Sequence, residues 1–108
     1  MQGRRTLIST VVLATLSLPA QAVEGNAEAA RDKISMCAGC HGIAGYRASF
    51  PHVYHVPKLG GQHPAYIVKA LEGYRSGERS HPTMQGIAAS LSDQDIADLA
   101  AYYGGSGK

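Results

Sequence analysis

The segment Cys37-Ala38-Gly39-Cys40-His41 constrains this chain more than any other part of its sequence. It contains both cysteines of the protein, with two residues between them. A disulfide at this spacing would close a very small loop, which gains little entropy and is easily strained. The C-x-x-C-H pattern is instead the attachment signature of a c-type heme.

The spacing of this motif suits heme for a local reason. One turn of chain brings the sulfurs of Cys37 and Cys40 side by side, where they can form thioethers with the heme vinyl groups. His41 then lies beneath the ring and offers its imidazole to the iron. The small residues Ala38 and Gly39 allow the backbone to approach the macrocycle. We therefore expect one covalently bound heme c per chain.

Two other chemistries use closely spaced cysteines, and the sequence favours neither. A thioredoxin-type redox pair belongs beside a βαβ pattern, which the sequence does not show. A structural zinc site needs four ligands, and no second pair of Cys or His residues occurs at zinc-finger spacing.

The first 22 residues have the layout of a secretory signal peptide. Arg4 and Arg5 form a basic start, and residues 7–18 are apolar apart from a few hydroxyl groups. The small-x-small sequence Ala20-Gln21-Ala22 then provides a cleavage site. We expect residues 1–22 to direct export to the periplasm, the side of the membrane on which bacteria attach this cofactor. An uncleaved amphipathic anchor is the alternative, which the short apolar run disfavours.

The remaining residues, 23–108, have room for one domain. Without Arg4 and Arg5 the chain keeps eight basic and eight acidic residues, so nothing indicates a nucleic-acid partner. No stretch approaches the ~20 apolar residues of a transmembrane helix. A short chain with one Phe and no Trp has little bulk for a core, and a buried cofactor would supply it.

Helical patterns cover three parts of this domain, and no segment shows the alternation of a strand. The expected helices are residues 27–36 after the N-cap Asn26, residues 63–76 with Pro64 in the first turn and Gly77 at the end, and residues 93–103 between the N-cap Ser92 and the stop Gly104-Gly105. The apolar face of the second helix consists of Tyr66, Ile67, Ala70, Leu71 and Tyr74. Residues 42–61 and 78–91 are expected to be loops, which predicts an all-α fold with long loops.

Four motifs along the chain carry a family resemblance. They are Cys37-x-x-Cys40-His41, Pro57-Lys58-Leu59-Gly60-Gly61-Gln62, a loop with a methionine, and Leu91-Ser92-Asp93-Gln94-Asp95-Ile96-Ala97 leading into Ala101-Tyr102-Tyr103. With them, residues 25–104 resemble a class I cytochrome c, of the small bacterial c-553 type or of one half of the diheme cytochrome c4 type. The resemblance implies three or more helices wrapped around one covalently bound heme. It also implies that the first and last helices cross, with Ala27 and Ala30 meeting Tyr102 or Tyr103.

The same resemblance assigns roles to residues around the heme. It implies that the carbonyl of Pro57 accepts a hydrogen bond from the ring nitrogen of His41 that faces away from the iron, which fixes the imidazole. It implies that Leu59 packs on the heme face. The candidates to reach the heme propionates are Tyr46, Arg47 or Tyr54, all in a segment where this chain departs from the shorter loops of the family.

Met84 is the expected sixth ligand of the iron, partly by elimination among the three methionines. Met1 leaves with the signal peptide, and Met36 adjoins Cys37 on the attachment side of the ring. Met84 lies in the expected loop 78–91, far enough along the chain to return over the heme, and Pro82 stiffens that loop. These positions also predict a cavity between His41 and Met84.

The other four histidines are expected to be exposed, because three lie in predicted loops and one lies at a helix start. They are His52, His55, His63 and His81. His81 is the competitor of Met84 for the iron, because it lies three residues before it. Arg79 is expected to be an ordinary solvated charge.

A heme iron with one nitrogen and one sulfur axial ligand is saturated, so it exchanges electrons and has no open position for a substrate. These ligands predict an electron carrier that is not itself an enzyme. The expected partners are redox proteins: a dehydrogenase, a reductase or a terminal oxidase. An alternative is the cytochrome subunit of a dehydrogenase, which accepts electrons from a flavin or metal subunit. A gas sensor or peroxidase with an open iron position is a third possibility.

Overall fold

The computed structural model describes residues 21–106, so the signal peptide expected at residues 1–22 lies almost entirely outside the described residues. Within these residues, a 3₁₀ turn at Ala29–Asp32 precedes four α-helices and a two-stranded sheet. The helices are α1 (Ser35–His41), α2 (Pro64–Ser76), α3 (Pro82–Ala89) and α4 (Asp93–Ser106). The strands are β1 (Arg47–Ala48) and β2 (Tyr54–His55).

The first predicted helix, residues 27–36, is wrong in its bounds. The side chain of Asn26 accepts hydrogen bonds from the N–H groups of Glu28 and Ala29, but a 3₁₀ turn follows. The carbonyl of Ala30 accepts from the N–H groups of both Lys33 and Ile34, at 2.8 and 3.1 Å, so 3₁₀ and α-helical spacings mix where the turn ends. The α-helix begins again at Ser35 and carries the C-x-x-C-H motif.

Both predicted loops contain regular structure that the sequence analysis missed. In the first, β1 pairs antiparallel with β2 in the register Arg47 to His55 and Ala48 to Tyr54. Strands of two residues are too short to show an alternating pattern. In the second, residues 82–89 form α3, which packs against α2. Its single buried residue, Ala88, makes no apolar stripe that periodicity could detect.

The second predicted helix is confirmed, and Gly77 ends it in the left-handed conformation with φ 84°. The third predicted helix is present as α4, but Gly104-Gly105 does not stop it, since the helix continues to Ser106. Gly104 instead permits a close approach, because a Cβ at this position would lie 2.7 Å from Cδ of Pro64 at the start of α2.

The core lies where α2 and the turn at residues 29–32 pack against α4. It contains Ala30, Ile67, Leu91, Ile96, Leu99, Ala100 and Tyr103. Ala30 and Tyr103 therefore share one core cluster, as the crossing of the chain's two ends implied. The all-α fold class is confirmed. Within residues 21–106, none of the helices combines the length and apolar character needed to cross a membrane.

Candidate functional site

Helix α1 presents Cys37, Cys40 and His41 to a cavity of about 340 Å³. All three residues are half-buried, and both cysteines are free thiols. Because Cys37 and Cys40 lie three apart on a helix, their side chains lie on the same face. The pair is therefore available to bind a group in the cavity.

The imidazole of His41 is held by one short hydrogen bond. Its Nδ1 lies 2.6 Å from the carbonyl oxygen of Pro57, in the loop after β2. Because a carbonyl oxygen can only accept, Nδ1 donates, and in the neutral ring Nε2 carries the lone pair that can bind a metal. This is the hydrogen bond that the family resemblance implied.

Burial raises the pKa of the Cys37 thiol. A raised pKa keeps the sulfur protonated near neutral pH, whereas reactive redox cysteines are activated by a lowered pKa. The electrostatics therefore do not favour a thioredoxin-type dithiol, in agreement with the absence of a βαβ unit among the described elements.

The opposite wall of the cavity comes from α2 and α3. Helix α2 contributes the apolar face predicted from its periodicity: Tyr66, Ile67, Ala70, Leu71 and Tyr74. Met84 lines the cavity from the first turn of α3, and Pro57 and Leu59 line it from the loop after β2. The expected cavity between His41 and Met84 is thus present, although Met84 lies on a helix and not in the predicted loop.

Of the three residues that the resemblance assigned to propionates, Tyr54 lines the cavity. Tyr46 and Arg47 lie outside its described lining. The structure also places Arg79 in the lining, with its guanidinium carbon 4.8 Å from the ring centre of Tyr74.

Arg79 is exposed, as predicted for a solvated charge, but it also contacts two aromatic side chains of α2. Its Nη1 donates a hydrogen bond of 3.3 Å to the hydroxyl of Tyr66, and this bond contributes most to the raised pKa of Arg79. Helical periodicity predicted the positions of Tyr66 and Tyr74, but it did not predict that Arg79 would pack against them. The chain must turn back after Gly77 to bring Arg79 over the side chains of α2.

Three of the four remaining histidines are exposed as expected. The prediction is wrong for His81, which is half-buried and lines the cavity. Its ring packs edge-on against Tyr54, with the centroids 4.9 Å apart. The sequence signal that could have indicated this role is the position of His81 directly before Pro82, where a helix N-cap precedes proline at the first helical position.

The residues around the cavity fit a covalently bound heme. Two free thiols lie on one helical face, an imidazole has its Nδ1 already hydrogen-bonded, and a thioether lines the same apolar cavity. Soft thioether and imidazole donors suit heme iron. Within the described residues, no cluster of three or more His, Cys, Asp or Glu side chains offers a separate metal site.

Comparison with known proteins identifies similar chains. The family profile described as cytochrome c matches residues 26–103. Cytochrome c4 of Pseudomonas aeruginosa is 39% identical over 85% of this chain and 44% of its own length. Cytochrome c-554(548) of Halomonas halodenitrificans is 42% identical over 73% of this chain and 94% of its own length. A thiosulfate dehydrogenase electron acceptor of Stutzerimonas stutzeri is 37% identical over 87% of this chain and 44% of its own length.

A solved structure shows the same likeness in three dimensions. The reduced recombinant cytochrome c4 from Pseudomonas stutzeri superposes with a TM-score of 0.54 at 32% identity, over 82% of this chain and 54% of that one. The chain thus spans about half the length of the cytochrome c4 proteins that it matches, and nearly all of the c-554(548) length.

Proposed function

This chain belongs to the cytochrome c family, and we propose that it carries single electrons in the periplasm with His41 and Met84 as the axial ligands of its iron. Members of the family contain covalently bound heme c and transfer electrons. The observation that supports this ligand set is the single cavity that Cys37, Cys40, His41 and Met84 all line.

Each of these residues has one task. Cys37 and Cys40 would hold the cofactor through thioether bonds, and Nε2 of His41 and the sulfur of Met84 would bind the iron. Bound heme supplies a reversible one-electron couple, whose potential a methionine ligand raises. The carbonyl of Pro57 keeps the imidazole in the tautomer that can bind metal.

Apolar side chains line much of the cavity around this centre. Leu59, Ile67, Leu71 and Ile87 lie in its lining, and apolar surroundings are among the protein's means of tuning a redox potential. An iron with both axial positions filled by side chains exchanges electrons without binding a substrate. This argument favours an electron carrier over a gas sensor or a peroxidase.

The partner is a redox protein, and a dehydrogenase is the class favoured by the comparisons. One relative is named as the electron acceptor of a thiosulfate dehydrogenase, and another as the cytochrome subunit of a sulfide dehydrogenase. This chain would serve as a free carrier, with a permanent dehydrogenase subunit as the alternative. Purification from the native host with mass spectrometry distinguishes them, since only a subunit stays with its enzyme through several columns.

The axial ligand is tested by replacing Met84→Ala in the holoprotein. The oxidised wild type should show the weak band at the near-infrared edge that a methionine–iron bond produces. The variant should lose this band, have a lower potential and bind carbon monoxide when reduced, because its iron has an open position. His81→Ala tests the rival ligand and should retain the band. If Met84→Ala keeps both the band and the potential, or if the oxidised wild type lacks the band, the sixth ligand is not Met84.

A further inference from the structure

We propose that His81 is a positioning residue that holds the first turn of α3, and with it the sulfur of Met84, against the cavity. This inference rests on the proposed role of Met84 as an iron ligand. His81 itself does not bind the iron, and acts through the backbone of Met84.

The hydrogen bonds of His81 fasten the start of α3 in both directions. As the N-cap residue, it accepts at Nδ1 a bond of 3.3 Å from the backbone N–H of Met84. Its own N–H donates to the side-chain oxygen of Gln85, also at 3.3 Å, and its carbonyl accepts from the N–H of Gln85 at 2.8 Å. The N–H groups of a helix's first turn have no partner inside the helix. The side chain of His81 therefore provides the hydrogen-bond acceptor for the backbone N–H of Met84.

The imidazole of His81 is in turn held by two other elements. Tyr54 of β2 lies at a ring-centre distance of 4.9 Å and an interplanar angle of 82°, and Tyr74 of α2 lies at 6.4 Å and 76°. Edge-to-face contacts of this kind stabilise aromatic pairs beyond their burial. The ring therefore links the position of Met84 to the β-hairpin and to α2, and these three elements together surround one side of the cavity.

Two substitutions separate the hydrogen bond from the packing of the ring. His81→Phe keeps an aromatic ring between the tyrosines but has no acceptor for the N–H of Met84. His81→Asn loses the ring but keeps an acceptor attached to Cγ, where Nδ1 of histidine is also attached, and asparagine is a preferred N-cap residue. The wild-type holoprotein and both variants are compared under identical conditions.

The readout is the affinity of the oxidised holoprotein for imidazole, a probe that competes with Met84 for the iron. Loss of an N-cap corresponds to about a fivefold change in an equilibrium constant, so His81→Phe should bind imidazole about fivefold more tightly than the wild type. His81→Asn should stay within about twofold of it. The thermal midpoint of far-UV circular dichroism is measured in parallel, because a purely structural role would lower that midpoint without changing imidazole affinity.

Each outcome decides between the alternatives. Unchanged imidazole affinity in His81→Phe overturns the inference, and so does an equal rise in both variants, which would assign the effect to the ring. If the wild type itself lacks the methionine–iron band, the proposed ligand fails and the inference fails with it for a separate, visible reason.

The wild-type holoprotein provides an independent measurement that does not require any variant to fold. Amide hydrogen exchange at Met84 should be slow, because the N–H is bonded to His81. Exchange at the rate of an unprotected amide would overturn the inference.

Discussion

The environment of each cysteine determines what its sulfur can do. Cys37 packs against the core cluster, and burial raises the pKa of its thiol. It is therefore a poor thiolate at neutral pH, whereas a thioether at this position has no charge to desolvate. His41 is likewise defined by one contact, because its bond to Pro57 leaves Nε2 as the only ring nitrogen available to a metal.

We expect Cys37→Ser and Cys40→Ser each to yield little holoprotein when expressed with the heme-attachment machinery, because each removes one thioether. In the wild type, the intact mass should exceed that of the processed chain by one heme, and acidified acetone should not extract the pigment. Mass spectrometry of the purified proteins measures the heme content, and the colour of the acetone phase shows whether the pigment is extracted. A double variant with full heme content would contradict the assignment of these cysteines.

At the scale of elements, α4 and α2 approach each other closely where Gly104 meets Pro64. The sequence predicts a helix stop at Gly104, but this residue instead leaves room for the ring of Pro64. The N–H of Gly61 bonds to the carbonyl of Tyr103 at 3.0 Å, which ties the loop before α2 to the same end of α4. The close packing of the two helices at this point therefore requires a residue without a Cβ at position 104.

We expect Gly104→Ala to lower the free energy of unfolding by roughly 1–3 kcal/mol, since an added Cβ would overlap the ring of Pro64. Gly105→Ala is the matched control, because its Cβ would meet nothing within 4 Å. It should raise the free energy of unfolding by up to ~1 kcal/mol through helix propensity. Denaturant titration of the holoprotein measures both, and equal effects of the two substitutions would show that the contact with Pro64 does not matter.

At the scale of the whole molecule, a polar network joins the beginning of the domain to α4. Asp98 is 2% exposed and accepts hydrogen bonds from the backbone N–H of Asn26, the amide of Gln94 and the amine of Lys33, all within 2.9 Å. Together these bonds hold the pKa of Asp98 below its usual range. Lys33 also pairs with Asp95 at 2.6 Å.

We expect this network to make the stability of the protein depend on acid pH. The bond from Lys33, followed by those from Ser92, lowers the pKa of Asp95 from 3.8 to about 2. A lowered folded-state pKa contributes stability that is complete above about pH 4 and is lost as the pH falls towards 2. Lys33→Met should therefore lower the free energy of unfolding near pH 6, and the difference from the wild type should shrink by about pH 3.

Denaturant titrations at both pH values test this, with Arg31→Met as the control. Arg31 pairs with Glu28 on the surface, where both side chains are more than half exposed, so its removal should change little at either pH. A difference between Lys33→Met and the wild type that is the same at both pH values would rule out the linkage to Asp95.

The prediction for the chain as a whole concerns its processing after Ala22. The basic start, the apolar run and the Ala20-Gln21-Ala22 site predict that the exported protein begins at Val23. N-terminal sequencing of periplasmic holoprotein checks this directly. An intact Met1 or Gln2 on the holoprotein would instead favour the uncleaved anchor.

The sequence by itself determined the features that depend on neighbours along the chain. The C-x-x-C-H spacing predicted heme c, and periodicity predicted α2 and α4 with the apolar face that lines the cavity. The family resemblance, the all-α fold class and heme c as the cofactor are confirmed, and electron transfer is the function proposed from them. These predictions succeeded because attachment spacing and helical periodicity are local properties that survive folding unchanged.

Only the tertiary structure decided the contacts between residues far apart in sequence. It placed Arg79 over Tyr74, His81 between Tyr54 and Tyr74, Gly104 against Pro64, and Asp98 beside Asn26. The physical reason is that such a contact depends on where the chain returns in space, which no periodic pattern encodes. Helix α3 likewise depends on tertiary contacts. It packs against α2, and its N-cap is His81, which two other elements hold in place.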